Sequence, residues 1–264
     1  MASLLKHRII PILLWDGVSV VQSTQFSRPH RKVGSIVQFV ENMEKRNVDE
    51  LIILDVNASL ENRKPLFNDI KKLTSNLFCP LTYGGGISSL DDIKILVQDC
   101  GIDKVSIKSN FSLIHSAARK FGTQAIVYAA DFKDNGKIDV KNTPSKFKWN
   151  RWLKLVESEG AGELLLTDMS LNGQQKGYNI SLIKKVAGVV NIPIIANGGG
   201  TINSMPFAIE AGANAVAASS LFLFTDTTPR NCAEALDNYG INVRLDRVGS
   251  PQRGLGRPAL EAIS

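Results

Sequence analysis

NIPIIANGGGT, residues 191–201, joins an apolar run to three consecutive glycines. An apolar run without alternation, stopped by glycine, predicts a strand covered on both faces, the environment of a parallel sheet. Glycine removes the side chain where the backbone turns and where a ligand comes close to it. A helix starting near Asn203 would aim its first N–H groups and those of the turn at one point, an anion site. Glycine turns also end strands with no ligand present. The segment gains weight because FCPLTYGGGIS, residues 78–88, repeats it and is likewise followed by a helical pattern.

Working outward, strand-like runs fall at Arg8–Leu14, Glu50–Asp55, Pro80–Tyr83, Lys104–Ile107, Gln124–Ala130, Glu163–Thr167, Ile192–Ala196 and Ala215–Ala218. Helical patterns lie between them at 35–45, 64–77, 89–99, 113–120, 149–159, 180–189, 204–210 and 230–238. Eight β/α units in about 240 residues match the count and size of a (β/α)8 TIM barrel, with a doubly wound sheet as the alternative. An internal repeat favours the barrel. VDELIILDVNAS (48–59) matches AGELLLTDMSLNG (161–173), and DKVSIKSNF (103–111) matches NAVAASSLF (214–222). Glu50 and Glu163 are 113 residues apart, as are Gly85 and Gly198. Each half holds four units and cannot cover its own sheet, so two half-barrel repeats are expected to close into one barrel.

Composition bounds the function. The chain has 264 residues, 44% hydrophobic and 21% charged. It contains no apolar run long enough for a membrane span. The start, MASLLKHR, has no secretory core, which makes a cytoplasmic location the expectation. Three cysteines without paired spacing and three scattered histidines argue against zinc or any other metal site, and no cofactor is expected. The net charge is +6, but the basic residues are dispersed and no aromatic-interleaved stripe accompanies them. That pattern points to anionic small molecules rather than nucleic acid.

In a barrel, function sits where strands end in βα loops. Gly85 and Gly86 with Lys108 and Ser109 form one candidate phosphate site. Gly198 and Gly199 with Ser219 and Ser220 form the other. Lys108 could equally be a solvated rim lysine. Two sites related by a pseudo-two-fold axis predict an elongated ligand with a phosphate at each end. Asp131, after the apolar IVYAA run, is a general acid/base candidate or a turn cap. The symmetric position in the first strand is Leu14, and Asp16 two residues on precedes Gly17 and suits a turn. Asp55 and Asp168 could bind hydroxyls or orient loops. At the opposite strand ends lie Arg8, Glu50, Lys104 and Glu163, a set of alternating sign that could stabilise the barrel bottom or gate a passage through it.

These residues resemble the HisF family over about Leu4 to Arg244. The segments carrying the likeness are RIIPILL, DELIILDVNAS, YGGGISS, DKVSIKS, AGELLLTDMSLNGQQKGY, IPIIANGGG, AGANAVAASSLF and GINVRL. The resemblance implies a cytoplasmic barrel that docks a HisH-type glutaminase and passes its ammonia to the far face. There the family converts a bis-phosphorylated ribulosyl-formimino carboxamide ribotide to imidazole glycerol phosphate and an aminoimidazole carboxamide ribotide. It places the ammonia gate on Arg8, Glu50, Lys104 and Glu163, and a partner contact on Asp103. Phosphate-binding positions fall on Gly85, Gly86 and Ser109, and on Gly173, Gly198, Gly199 and Ser220. The second catalytic aspartate falls on Asp131.

The chain departs from the family pattern at the mouth. Leu14 stands at the first catalytic aspartate, Gln22 at a lysine of the following loop, and Asn172 at an aspartate of a later loop. Leucine cannot move a proton, so cyclase activity should be badly impaired unless Asp16 substitutes. The IP-x-LL-x-x-G start and FSRPHRKVG (26–34) resemble HisF-like proteins of bacterial surface-polysaccharide pathways. Those work with a glutaminase and an ATP-dependent amidotransferase that amidinates a nucleotide-linked sugar. Three readings follow: an ammonia-conducting synthase subunit of this kind, a working cyclase of histidine biosynthesis, and a non-catalytic scaffold that activates the glutaminase. The barrel is expected over 1–245, with residues 246–264 a flexible tail outside the resemblance.

Overall fold

A computed structural model of the chain describes residues 6–28, 30–108, 111–133 and 148–245. Its strands are β1 (Arg8–Trp15), β2 (Ser19–Gln22), β3 (Arg31–Ser35), β4 (Leu51–Asp55) and β5 (Leu81–Gly84), followed by β6 (Lys104–Ile107), β7 (Ile126–Phe132), β8 (Glu163–Asp168), β9 (Ile194–Asn197) and β10 (Ala215–Ala218). β1 and β4 to β10 pair side by side, all parallel. β10 returns to β1 with Arg8 opposite Ala215 and Pro11 opposite Ala218. The sheet is thus a closed eight-stranded barrel, and the doubly wound alternative is excluded.

The helices cover it: α1 (Ile36–Lys45), α2 (Phe67–Thr74), α3 (Leu90–Lys94), α4 (Phe111–Phe121), α5 (Trp149–Ser158), α6 (Ile180–Ala187), α7 (Met205–Glu210), α8 (Ser220–Phe224) and α9 (Pro229–Asn238). Each long helix buries one stripe. In α1 the buried residues are Ile36, Val40 and Met43, the spacing of a single helical face. No helix among the described residues is long and apolar enough to cross a membrane.

Strand alternation sorts side chains into two cores. On β1, Ile9, Leu13 and Trp15 face the helices in the large outer cluster. Ile10 and Ile12 face inward with Ile52, Val127, Leu165 and Ile195, and Leu14 and Leu54 border them above. The same parity places Arg8 and Glu50 at the bottom of the interior and Leu14 at its top.

Several elements differ from the sequence expectation. The helix expected over 64–77 is confined to Phe67–Thr74, because Pro65 has no N–H to donate and the chain enters the helix after it. The helix expected over 89–99 divides into α3, capped reciprocally by Ser89 and Asp92, and a π turn over Ile95–Asp99. An unexpected hairpin follows β1. β2 pairs antiparallel with its end, Leu14 opposite Val21, and β3 pairs with β2. The tail at 246–264 lies outside the described residues.

The repeat is visible in the loops. Gly85 has φ +119°, and a Cβ there would lie 2.4 Å from the carbonyl oxygen of Asp55. Gly198 has φ +100°, and its Cβ would lie 2.5 Å from the carbonyl oxygen of Asp168. Each glycine turn therefore packs backbone to backbone on the preceding βα loop. Gly240 is the control, with φ +84° and open space around a Cβ. Gly240→Ala should cost about 1–2 kcal/mol of unfolding free energy, from the left-handed backbone alone. Gly85→Ala adds overpacking and should cost at least about 3 kcal/mol. Urea unfolding of the two variants measures the difference, and equal losses would contradict the close approach.

Candidate functional site

At the N-terminal end of the barrel four charges form a closed ring. Arg8 donates from Nη1 to Glu50 Oε2 at 2.6 Å and from Nη2 to Glu163 Oε1 at 2.9 Å. Lys104 Nζ lies 2.9 Å from Glu50 Oε2 and 3.1 Å from Glu163 Oε2. Thr82 Oγ1 donates to Glu50 Oε1 at 2.8 Å, and the Glu50 side chain is 2% exposed. Burial alone would lower the Arg8 pKa, but the charges of Glu163 and Glu50 outweigh it and hold the guanidinium above its ordinary value. Two cations and two anions cancel, and each ion has two partners. Sequence reasoning found all four residues; the structure brings them into mutual contact.

The other end is asymmetric. Asp131, on β7, accepts from Lys108 Nζ, at the end of β6, at 2.5 Å, with side chains 10% and 39% exposed. Sequence reasoning treated these two separately; their contact needed the register of β6 on β7. Asp16 is not available in the same way. Its Oδ1 accepts from the N–H groups of Val18 (2.9 Å) and Ser19 (2.6 Å), which fixes the turn into β2. Leu14 faces a shallow recess beside Gln22, Ser23, Asn172, Gly173, Asn197 to Gly200 and Ala218 to Leu221. Gly173, Gly198, Gly199, Ser219 and Ser220 are therefore brought together. All three positions of the departure, Leu14, Gln22 and Asn172, line the same recess.

The remaining candidates have loop roles. Asp55 accepts from the N–H groups of Asn57 and Ala58 and is held at two points by Arg63, at 2.7 and 2.8 Å. Those bonds raise the Arg63 pKa, although burial opposes them. Asp168, its symmetric counterpart, accepts from Ser170 N–H and from Asn179 Nδ2. Both aspartates face away from the mouth and orient the loop that follows. Asp103 Oδ2 accepts from Leu81 N–H at the start of β5, as Asn214 Oδ1 does from Ile194 N–H for β9. Gly85 and Gly86 sit in the turn after β5, both with positive φ. The helix start expected near Asn203 is a 3-10 turn over Ile202–Ser204 that leads into α7, and Ser204 Oγ there accepts from Thr201 N–H at 3.0 Å; after Gly86 the equivalent start is capped by Ser89, whose Oγ accepts from Asp92 N–H. Ser109 lies outside the described residues.

Comparison with known proteins follows the same outline. The family described as histidine biosynthesis protein matches residues 8–228. Imidazole glycerol phosphate synthase subunit HisF of Dictyoglomus thermophilum is 37% identical over 254 residues, covering 92% of this chain and 100% of the relative. The protein of that name from Natranaerobius thermophilus is 37% identical over 257 residues, covering 92% and 100%. The one from Thermobifida fusca is 35% identical over 258 residues, covering 91% and 99%.

The ring geometry makes a stability prediction. Removing one member of a buried ion pair strands the other, typically at a cost of 3–5 kcal/mol. Glu50→Gln should lower the unfolding free energy by about 3 kcal/mol, because Arg8 and Lys104 each lose a partner. Adding Lys104→Met to Glu50→Gln removes one stranded cation and should restore part of that loss. Chemical denaturation of the two single variants and the double closes the cycle. Strict additivity would mean that the four charges do not act as a unit.

Proposed function

The chain belongs to the HisF family of histidine biosynthesis proteins, and from that membership we propose that it is the ammonia-using subunit of a glutamine amidotransferase. A HisH-type glutaminase docks on the N-terminal end of the barrel, where Asp103 lies, and releases ammonia at the ring of Arg8, Glu50, Lys104 and Glu163. The ring is the gate. Beyond it Ile10, Ile12, Ile52, Val127 and Leu165 line the interior. That lining suits neutral ammonia and disfavours ammonium, whose charge has no partner there. The ligand at the far mouth is a phosphorylated small molecule, with Lys108 and the glycine turns as its hydrogen-bond donors.

We read the acceptor as an acylamino group on a nucleotide-linked sugar of surface-polysaccharide biosynthesis, amidinated together with an ATP-dependent amidotransferase. The observation that carries this is the contrast between the barrel's two ends. The ring has all four of its expected charges, in mutual contact. The mouth has Leu14 on the inner face of β1, and the carboxylate that follows it in sequence, Asp16, is committed to a turn. A second reading, cyclisation in histidine biosynthesis, draws on the end-to-end identity with proteins named imidazole glycerol phosphate synthase subunit HisF and on Asp131 at the mouth. A pure scaffold would make no use of the ring's polarity.

The two catalytic readings separate in one assay. The purified protein, given saturating ammonium and the bis-phosphorylated formimino ribotide, needs no glutaminase. Loss of general acid–base help should leave turnover lower by about 10²-fold or more than in a HisF cyclase, and Leu14→Asp should recover part of it. Turnover within about ten-fold of such a cyclase would instead establish the histidine-pathway reading.

A further inference from the structure

A buried hydroxyl at the mouth has no partner. Ser23, one residue past β2, is 7% exposed, and its Oγ makes no hydrogen bond among the described residues. A hydroxyl taken out of water without a partner costs free energy that a paired one does not. Ser23 lines the recess beside Leu14, together with Gly173, Gly198, Gly199 and Ser220. No ionisable side chain lines that recess, so an anion held there depends on uncharged donors alone.

The chain around Ser23 is pinned, and the acceptors nearby are taken. Residues 23–28 form a strap from the loop after β8 to the loop after β4. At one end Gln25 N–H donates to Asn172 O at 2.9 Å. Gln25 Nε2 donates to Ser170 O at 2.8 Å, which also accepts from Gln174 Nε2 at 2.6 Å. At the other end Arg28 Nη2 donates to Val56 O and Asn57 Oδ1, both at 3.0 Å. Between them Ser27 Oγ donates to Thr24 O at 2.5 Å. Gln25 and Phe26 hold φ of +52° and +59°, a backbone that residues other than glycine adopt at a cost and that clusters at ligand clamps. The carbonyl oxygen of Ser23 occupies the space a Cβ on Gly173 would need. The strap therefore holds Ser23 against the loop that carries Gly173 and leaves its hydroxyl without a protein acceptor.

We propose that Ser23 is a further phosphoryl-binding residue, whose Oγ–H donates to a phosphoryl oxygen held at the Gly173 and Gly198–Gly199 turns. The inference rests on the reading of the mouth as the site of a phosphorylated molecule and adds to it a donor from the loop after β1. A hydroxyl supplies one donor without bringing a charge into the recess. A hydrogen bond to a charged acceptor is about twice as strong as one between neutral groups, so an anion satisfies this hydroxyl best.

The probe is glycerol 3-phosphate, titrated into the full chain and followed by amide NMR. Shifts at Gly198 and Gly199 read the recess, and shifts at Ile107 read the Lys108 side. Ser23→Ala should weaken binding at the recess by about ten-fold, the loss of one charge-assisted bond, and leave the Lys108 side unchanged. Ser27→Ala removes a hydroxyl from the same strap and should bind within about three-fold of wild type. Without ligand, Ser23→Ala should unfold at the same urea concentration as wild type or higher, because its hydroxyl has no bond to lose. A lower urea midpoint would mean that the hydroxyl is already satisfied in the free protein, and the inference fails. It fails too if Ser23→Ala binds the probe as wild type does, or if Ser27→Ala loses as much; the ligand-site reading stands in both cases. If wild type shows no shift at either turn at about 10 mM, the inference and the ligand-site reading fall together.

Discussion

Four charges at the base of an apolar barrel can exist there only together. Glu50 is almost wholly out of water, and an isolated carboxylate in that position would have to neutralise itself. It persists because Arg8 and Lys104 reach it from β1 and β6 while Glu163 holds both cations from the other half of the chain. The ring therefore needs the barrel closed in one register. β1 must meet β10 and β4 in this register for Arg8 to reach Glu50. The electrostatic requirement and the packing requirement select the same closure.

Above the ring, the two halves retain their architecture and diverge in chemistry. Asp55 and Asp168 orient equivalent loops, and Gly85 and Gly198 approach those loops equally closely. These features serve folding and persist in both halves. The mouth is different. The charged pair belongs to adjacent strands on one side, while Leu14, Gln22 and Asn172 leave the other side uncharged. Side chains that no scaffold contact requires can differ between the halves without disturbing the fold, and the asymmetry is concentrated there.

Most of the scaffold was legible in the sequence. The alternating apolar runs and the 113-residue repeat specify eight units and their closure, and the four base charges sit at strand starts where parity turns them inward. What was not legible depends on long-range pairing. Ser19–Gln22 is too short and Arg31–Ser35 too polar to read as strands; they form because Val21 and Val20 find the end of β1. The contact of Lys108 with Asp131 joins residues 23 apart through strand register, which no local pattern encodes. Asp16 was weighed as a proton-transfer substitute on spacing alone. Its engagement by Val18 and Ser19 is local, and the following glycine was the signal for it. The shared recess of Leu14, Gln22 and Asn172 could not be seen before the loops were placed, because those residues come from opposite halves of the chain.

The central claim is that ammonia travels through the ring and is not taken from bulk water. The most direct measurement is the isotope content of the aminated product. The complete complex of barrel, glutaminase and amidotransferase would be supplied with amide-15N glutamine and excess unlabelled ammonium. The account predicts a product carrying mainly 15N with the natural barrel. With Lys104→Ala it predicts a largely unlabelled product while glutamine hydrolysis continues, since an unbalanced ring admits water and releases ammonia. An unlabelled product from the natural complex, or the same label with and without Lys104, would contradict it.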